Sequence, residues 1–295
     1  MNTHSLPTPA HAPLRPTRVA RLADVVLFVL IAYAFTWTAL LAYVVPNWGS
    51  LTTAEVFPYA MIGQFGPTLA ALGLTARKGG WRGIRSLLGR LLAARFPLRW
   101  WVVATWLLGL VFLGVSVVIG ASVSLGETMA WLVTRWPVVL LPVFGALQLL
   151  GAGPIGEEIA WRGYLQPRLI ERWSPALSSV VLGLIWSFWH LPAFFIPDWR
   201  HGLDLPLFVV LYPVSTIVLS YGMYYLWKNT GGSLLAAVLF HGCLNWAANS
   251  LQPEFVDPVV LYLGTIAVAG PWALIARRLD DRSLPANPYA ETPHA

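Results

Sequence analysis

Long apolar stretches recur along this chain at lengths of about 20 residues, the length that an α-helix needs to cross a lipid bilayer. Apolar residues make up 57% of the 295 residues and charged residues only 11%, which is too little polar surface for a soluble domain of this size. The sequence therefore predicts an all-α fold, a polytopic transmembrane bundle of about eight helices with no sheet. The predicted spans lie near residues 25–46, 56–76, 101–123, 137–157, 176–196, 205–227, 233–250 and 258–276.

The distribution of basic residues supports eight spans and orients the chain. If the N-terminus is cytoplasmic, 17 of the 19 lysines and arginines fall in inner segments, Arg90 and Arg162 among them, and only Arg135 and Arg200 fall outside. Cytoplasmic loops carry this excess in membrane proteins, so we expect both termini to be cytoplasmic in the plasma membrane of a bacterium. The same excess of lysine and arginine on the cytoplasmic side explains the net charge of +6, so no nucleic-acid partner is needed to account for it.

The polar segments outside the spans divide the chain into three parts. Residues 1–22 are rich in proline and arginine and are predicted to be a disordered basic cytoplasmic tail. Residues 23–279 form the transmembrane domain, and residues 280–295 are predicted to be a disordered C-terminal tail. Within the domain, residues 79–99 alternate arginines with leucines, which is typical of a basic amphipathic helix on the inner leaflet. The alternative is that these arginines only set the topology.

Two adjacent glutamates, Glu157 and Glu158, are the most unusual residues of this apolar chain. A carboxylate at bilayer depth costs about 2.5–3.5 kcal/mol, so it is expected only where it is paired or functional. On a helix, Glu158 and Arg162 are i and i+4 and can pair, while Glu157 is rotated by about 100°. We expect a structural Glu158–Arg162 clamp and a Glu157 that is free for general acid or base chemistry. The alternative is that both acids are solvated at the inner end of the fourth span.

Three further polar residues lie inside later apolar spans: His190, His241 and Asn245. The last two are i and i+4 on one helical face, so both can be directed at one point. Each alone also fits a packing role, because membrane helices use histidine and asparagine as interhelical hydrogen-bonding groups. Their joint occurrence with the glutamates indicates one buried polar site.

The chemistry open to this set is limited. The single cysteine, Cys243, excludes a disulfide framework and a cysteine-cluster metal site, and no zinc-protease, aspartate-pair or serine-nucleophile motif is present. One scheme is water activation by Glu157 assisted by His190 and His241, with Asn245 stabilising an oxyanion. In the other, Glu157, His190 and His241 hold one divalent metal such as zinc. The sequence does not separate them, and a transporter or proton relay also places acids and imidazoles in a membrane.

Taken together, three short motifs resemble those of a known family. They are Glu157-Glu158-x-x-x-Arg162, an aromatic-x-x-x-His motif ending at His190, and His241-x-x-x-Asn245. They are similar to the motifs of the CPBP family, the CAAX-protease and bacteriocin-processing proteins also called Abi, which include type II CAAX prenyl endopeptidases. The resemblance covers residues 137–250, and its one departure is Trp186 where the family usually has phenylalanine. Residues 64–67 and 232–234 resemble weaker family features.

The resemblance implies an integral-membrane endopeptidase that cuts near the end of a membrane-associated protein or peptide substrate. Carried over by position, Glu157 and His190 would activate the water. His241 and Asn245 would form the oxyanion site. A non-catalytic immunity or scaffold protein on the same fold is an alternative.

The resemblance also implies supporting roles and leaves the cofactor open. Glu158 with Arg162 would hold the local geometry. Family members have been described as metalloproteases, with Glu157, His190 and His241 then the ligands, and a metal-independent glutamate mechanism is the competing account. The cofactor is accordingly none or one divalent metal such as zinc.

The predicted span boundaries contain a geometric conflict. Glu157 lies near the inner end of the fourth span, whereas His190 lies about 15 residues into the fifth, and at 1.5 Å per residue a hydrogen bond cannot bridge that difference in depth. Either the helix of the fourth span continues inward past Gly156, or the fifth span begins after residue 176. We expect a water-filled cavity between spans four, five and seven.

Overall fold

The computed structural model describes residues 22–47, 52–107, 153–200, 203–250 and 258–288. Every regular element in these ranges is helical, which confirms the predicted all-α fold. The α-helices are α1 (Leu22–Val44), α2 (Thr53–Gly63), α3 (Phe65–Gly89), α4 (Leu98–Thr105), α5 (Gly153–Ala160), α6 (Gln166–Ile170), α7 (Pro175–Trp189), α8 (Leu205–Asn229), α9 (Leu234–Ser250) and α10 (Pro258–Arg278).

Two of these helices are long and apolar enough, by length and composition, to cross a membrane. They are α1 and α8, and α7 and residues Leu234–Asn245 of α9 form shorter apolar helices. These four correspond to the first, sixth, fifth and seventh predicted spans. Most of the predicted spans 101–123 and 137–157 lies outside the described residues, as do residues 1–21. The count of eight spans and the cytoplasmic position of both termini therefore stay predictions.

The bundle packs around aromatic side chains that lie between the helices. Helix α7 packs along α8, α8 along α10, and α1 along α3, while α5 is held between α3 and α9. Phe28 of α1 lies against Trp161, with ring centroids 5.7 Å apart, and Phe240 of α9 stacks on Trp272 of α10 at 4.1 Å. All four rings have no exposed surface. This packing places the segment around Trp161 at the centre of the molecule.

The second predicted span, 56–76, is divided into two helices at Gln64. Helix α2 begins with a capping box, in which the Thr52 hydroxyl accepts from the Glu55 backbone N–H and the Glu55 carboxylate accepts from the Thr52 backbone N–H. After the break, α3 approaches α1 so closely that a Cβ on Gly66 would lie 2.5 Å from the Thr36 Oγ1. Glycine is required there. The break turns the partly buried Gln64 toward the interior.

Helix α3 continues past the end of the predicted second span, residue 76, into the predicted amphipathic region, residues 79–99. It kinks at Gly80, whose φ of 55° and ψ of −151° suit glycine, and it ends in a 3₁₀ turn, Arg90–Leu92. One face is open, since Trp81 is 73% exposed and Leu92 is 85% exposed. Leu87 is buried on the other face. An amphipathic helix is therefore present, but it is a continuation of α3.

Arg90 was counted among the basic residues of the inner segments, and its side chain is buried inside the protein. Its guanidinium is buried and donates to three backbone carbonyls, those of Gly163 at 2.9 Å, Gly232 at 3.0 Å and Arg162 at 3.2 Å. These carbonyls belong to the segment after α5 and to the turn before α9. Arg90 thus joins the end of α3 to two other parts of the bundle.

Helix α5 does not end at the glutamates. It continues through a π-helical segment, Trp161–Leu165, directly into α6, so residues 153–170 form one helical run. Of the two alternatives for the conflict in depth, the structure shows the first: the helix of the fourth predicted span continues past Gly156. Arg162, counted above among the basic residues of the inner segments, lies inside this run with no exposed surface. Burial is possible because Glu158 compensates the charge, as described below.

Part of the predicted disordered C-terminal tail is ordered. Asp280 accepts hydrogen bonds from the Lys228 Nζ at 2.9 Å and the Asn229 Nδ2 at 2.7 Å, both at the end of α8. The buried Asn287 donates to the Pro167 carbonyl at 3.3 Å, and the Tyr224 hydroxyl donates to the Ala286 carbonyl. Polar groups at the end of α8 hold this segment in place. Residues 289–295 lie outside the described residues.

We predict that Arg90→Ala destabilises the protein by about 3–5 kcal/mol, because it leaves three buried carbonyls without their donor and each costs roughly 1–3 kcal/mol. Arg90→Lys should recover only part of this loss, since an ammonium lacks the planar guanidinium fork. The measurement is thermal unfolding of the purified protein in detergent, with the exposed Arg82→Ala as control. Equal stability of Arg90→Ala and Arg82→Ala would contradict the structural role.

Candidate active site

Glu157 lies on α5 with a buried side chain, and its two carboxylate oxygens have different surroundings. Oε2 accepts hydrogen bonds from two indoles, the Nε1 of Trp186 at 2.6 Å and the Nε1 of Trp161 at 3.2 Å. Oε1 faces the start of α5, 3.8 Å from the position that a Cβ on Gly153 would take. The expectation of a free Glu157 therefore needs correction: one oxygen is held in place, and the other is directed into the site.

Glu158 carries a buried charge that two cationic groups share. Its Oε1 accepts from the Arg162 Nη1 at 3.0 Å, the pair expected from the i, i+4 spacing, and lies 2.8 Å from the His241 Nδ1. Neither Glu158 nor Arg162 has exposed surface, and His241 is also buried. The guanidinium of Arg162 lies over the Trp186 ring, 4.7 Å from its centroid. The contact between Glu158 and His241 was not predicted from the sequence.

This contact decides which nitrogen of His241 is available. A carboxylate oxygen only accepts hydrogen bonds, so the Nδ1 facing Glu158 carries the hydrogen. The neutral ring then presents Nε2 as an acceptor. Nε2 donates only in the imidazolium form.

His190 caps the C-terminal end of α7, and its orientation is set in a similar way. Its Nδ1 lies 2.9 Å from the backbone carbonyl of Trp186, an acceptor, which leaves Nε2 as the free nitrogen. The Tyr212 hydroxyl lies 3.2 Å from the same Nδ1, and the Trp199 ring stacks on the imidazole at 5.4 Å.

Asn245 reaches the site from α9, one turn after His241. Its Nδ2 lies 3.6 Å from the position that a Cβ on Gly153 would take, and the Oε1 of Gln64 lies 4.0 Å from the same position. The Oε1 of Glu157 is the third polar atom around this point. The structure thus brings the amide of Asn245 and the carboxylate of Glu157 to one place.

Trp186 connects the predicted site residues to one another. Its indole N–H holds Glu157, its carbonyl accepts from His190, and its ring lies edge-on to His241 with centroids 5.2 Å apart. A phenyl ring has no N–H to donate, so the hydrogen bond from α7 to Glu157 depends on the indole of Trp186.

Four further residues lie at the site without a role predicted from the sequence: Trp161, Trp186, Tyr212 and Gln64. Trp186 was named only as a motif position, and Gln64 only within residues 64–67. Aromatic residues in apolar spans are ordinarily packing residues, so composition alone did not mark them. Trp161 had a local signal, because it is i+4 from Glu157. Gln64 is 93 positions from Glu157 along the sequence, and only the tertiary structure brings them together.

The described part of the chain contains no group of three histidine, cysteine, aspartate or glutamate side chains arranged to hold a metal ion. The set Glu157, His190 and His241 offered by the sequence as metal ligands is not such a group. The Nδ1 of His241 is engaged by Glu158, and the Oε2 of Glu157 is engaged by two indoles. A metal held by these residues would have to bind the Nε2 atoms of the two imidazoles and the Oε1 of Glu157.

Comparison with known proteins supports the family indicated by the three motifs. Residues 136–247 match the family model described as type II CAAX prenyl endopeptidase Rce1-like, and this range includes all three motifs. A curated relative, CAAX prenyl protease 2 of Methanococcus maripaludis, is 26% identical over 127 residues, covering 38% of this chain. The chain spans less than half the length of that relative, 44%. The family is embedded in membranes, in agreement with the long apolar helices α1 and α8.

We predict that Arg162→Met destabilises the protein by about 3–5 kcal/mol, because it leaves a buried carboxylate without its main counter-charge. The double variant Glu158→Gln/Arg162→Met should be less destabilised than the sum of the two single variants, since it removes both charges together. Unfolding in detergent measures all three, and Arg172→Met, at an exposed position after α6, is the control. Additive effects would show that the two side chains are not coupled.

Proposed function

We propose that this protein is an intramembrane endopeptidase. It hydrolyses a peptide bond of a membrane-associated protein or peptide substrate. The match of residues 136–247 to the type II CAAX prenyl endopeptidase Rce1-like family model supports this proposal. The observation that carries the proposal is the arrangement of Glu157. Its Oε2 is held by two indole N–H groups, while its Oε1 and the Asn245 Nδ2 both lie within 4 Å of the position that a Cβ on Gly153 would take. A carboxylate held in this way has one oxygen positioned to take a proton.

The reaction begins with Glu157 as general base. Its Oε1 accepts a proton from a water molecule as the water oxygen attacks the carbonyl carbon of the scissile bond. His190, whose Nδ1 faces a backbone carbonyl, presents its Nε2 as an acceptor. The C–N bond then breaks, and the leaving amine takes the proton from Glu157.

The negative charge that develops on the substrate carbonyl oxygen needs donors. Asn245 supplies its Nδ2, and His241 supplies Nε2–H in the imidazolium form. Glu158 orients the ring through its 2.8 Å contact with Nδ1, and Arg162 pairs with the same carboxylate oxygen. In this scheme Glu158 and Arg162 orient His241 and do not touch the substrate.

The surroundings of His190 suit a substrate with a large apolar group. Aromatic rings from the loop after α7 and from α8 surround the imidazole, among them Trp199 and Tyr212. The relative's name refers to prenylated proteins, so a lipidated peptide with a CAAX-type end is the first substrate class to test. An unlipidated peptide of the same sequence is its matched comparison.

We predict that Glu157→Gln lowers cleavage by at least about 100-fold, because an amide cannot take the proton and general-base catalysis contributes about 100- to 10,000-fold. The assay incubates purified protein in nanodiscs with a farnesylated CAAX peptide or its unlipidated form and identifies products by mass spectrometry. Glu171→Gln, at an exposed position, is the control and should keep wild-type activity. A Glu157→Gln variant that cleaves normally would refute the assignment, and a wild-type protein that cleaves neither peptide would favour a transporter or scaffold.

We predict that cleavage survives a chelator, because the proposed mechanism needs a carboxylate and two imidazoles but no metal. The measurement is the cleavage rate before and after treatment with 1,10-phenanthroline, followed by addition of Zn²⁺. Retained activity is the expected result. Loss of activity that Zn²⁺ restores would overturn the metal-independent mechanism in favour of the zinc alternative.

A further inference from the structure

Three polar atoms surround the position that a Cβ on Gly153 would occupy. The Asn245 Nδ2 lies at 3.6 Å, the Glu157 Oε1 at 3.8 Å and the Gln64 Oε1 at 4.0 Å from this position. They come from three separated parts of the chain, α9, α5 and the break between α2 and α3. All three distances are ordinary contact distances, so a methyl group would fit there without a clash. Because residue 153 is glycine, no side chain fills the space between its Cα and these three atoms, and a small polar molecule in van der Waals contact with that Cα would lie among them.

The orientation of Gln64 is determined by its neighbours. The Gln64 side chain is largely buried, and its Nε2 donates to the Met61 carbonyl at 2.8 Å and lies 3.4 Å from the Met61 sulfur. With the amide nitrogen engaged in this way, the amide oxygen is the atom that faces Gly153. Gln64 therefore presents an acceptor to the site.

The backbone around Gln64 is docked directly on the helix that carries Glu157. A Cβ on Gly156 would lie 3.2 Å from the Gln64 carbonyl oxygen, so the two backbones approach closely. One turn later, the Thr68 hydroxyl donates to the Gly156 carbonyl. These contacts hold the Gln64 amide in a constant position relative to the Glu157 carboxylate.

The three polar atoms match the hydrogen-bonding pattern of one water molecule. A water donates two hydrogen bonds, and two acceptors are present, Glu157 Oε1 and Gln64 Oε1. It also accepts hydrogen bonds, and the Asn245 amide provides one donor. A water held in this way keeps a lone pair that is not used by the protein.

We propose that Gln64 positions the water that attacks the scissile bond. This inference rests on the proposed endopeptidase function and adds a residue to it from outside the matched range 136–247. The Gln64 Oε1 accepts one hydrogen of the water, and the Glu157 Oε1 accepts the other. When substrate binds, its carbonyl oxygen takes the Asn245 donor, and the water oxygen is directed at the carbonyl carbon.

Only one of the two hydrogens is transferred in this step. The new C–O bond forms from the lone pair of the water, and the proton moves to the Glu157 Oε1. The second hydrogen stays bonded to the attacking oxygen and remains directed at Gln64. Gln64 thus acts as a positioning residue, not as an acid or a base.

The first test compares two variants with matched controls in the cleavage assay. Gln64→Met keeps the shape of the side chain but removes the acceptor, and Gly153→Ala places a methyl group where the water is proposed. Both should lower kcat by about 10- to 100-fold while KM changes little, because misplacing a reacting group by about 1 Å can cost 100-fold. Gln166→Met, at another buried glutamine, and Gly73→Ala, whose added Cβ would meet nothing within 4 Å, should keep wild-type kcat. Full kcat in Gln64→Met would overturn the proposal.

The second test does not depend on a substrate. An experimental structure of the wild-type protein at a resolution that shows ordered water should contain a water bonded to both Gln64 Oε1 and Glu157 Oε1, and that water should be missing in Gly153→Ala. Cleavage by a wild-type protein without this water would overturn the role of Gln64 and leave the proposed function intact. If the water is present but neither peptide is cleaved, the endopeptidase function fails, and the water is then a structural one.

Discussion

The buried carboxylate of Glu158 is the group on which the rest of the site depends. A charge without exposed surface is tolerated only when it is paired and hydrogen-bonded, and here Arg162 and His241 share one of its oxygens. This pairing explains why an arginine lies inside a helical run in an apolar bundle. It also fixes the ring of His241, because the carboxylate determines which nitrogen carries the hydrogen. Charge compensation and site geometry therefore have the same origin.

The end of α3 contacts both the helical run that carries the two acids and the turn before α9. Arg90 donates to carbonyls of the π-helical segment after the glutamates and to Gly232, just before α9. The Ser233 hydroxyl adds a second link, since it donates to the Ala93 carbonyl and accepts from the Ala236 N–H at the start of α9. The helix that carries the acids and the helix that carries His241 and Asn245 are thus held by the same short segment. π-Helical segments often occur at functional sites, and this one directly follows the two acids.

Features set within one helix could be predicted from the sequence. The helices near residues 205–227 and 233–250 were expected within a few residues of α8 and α9, and the Glu158–Arg162 pair followed from the i, i+4 spacing. The role of Arg90 was missed, because its partners are backbone carbonyls 72 to 142 positions away along the chain. The order of residues 280–288 was missed for the same reason. Their polar composition suggested disorder, but the end of α8 supplies partners for them.

The sequence alone determined that the chain is an apolar helical bundle with rare acids and imidazoles in three of its segments, because helix length and side-chain spacing are local properties. It also carried the three motifs that lie within residues 136–247, the range that matches the family model. Only the tertiary structure decided that Trp186 and Trp161 hold one oxygen of Glu157, that Glu158 faces His241, and that Gln64 and Asn245 both lie near Gly153. Each of these contacts joins separate helices or depends on the rotamers that packing selects. No periodicity along one segment encodes how two helices pack against each other.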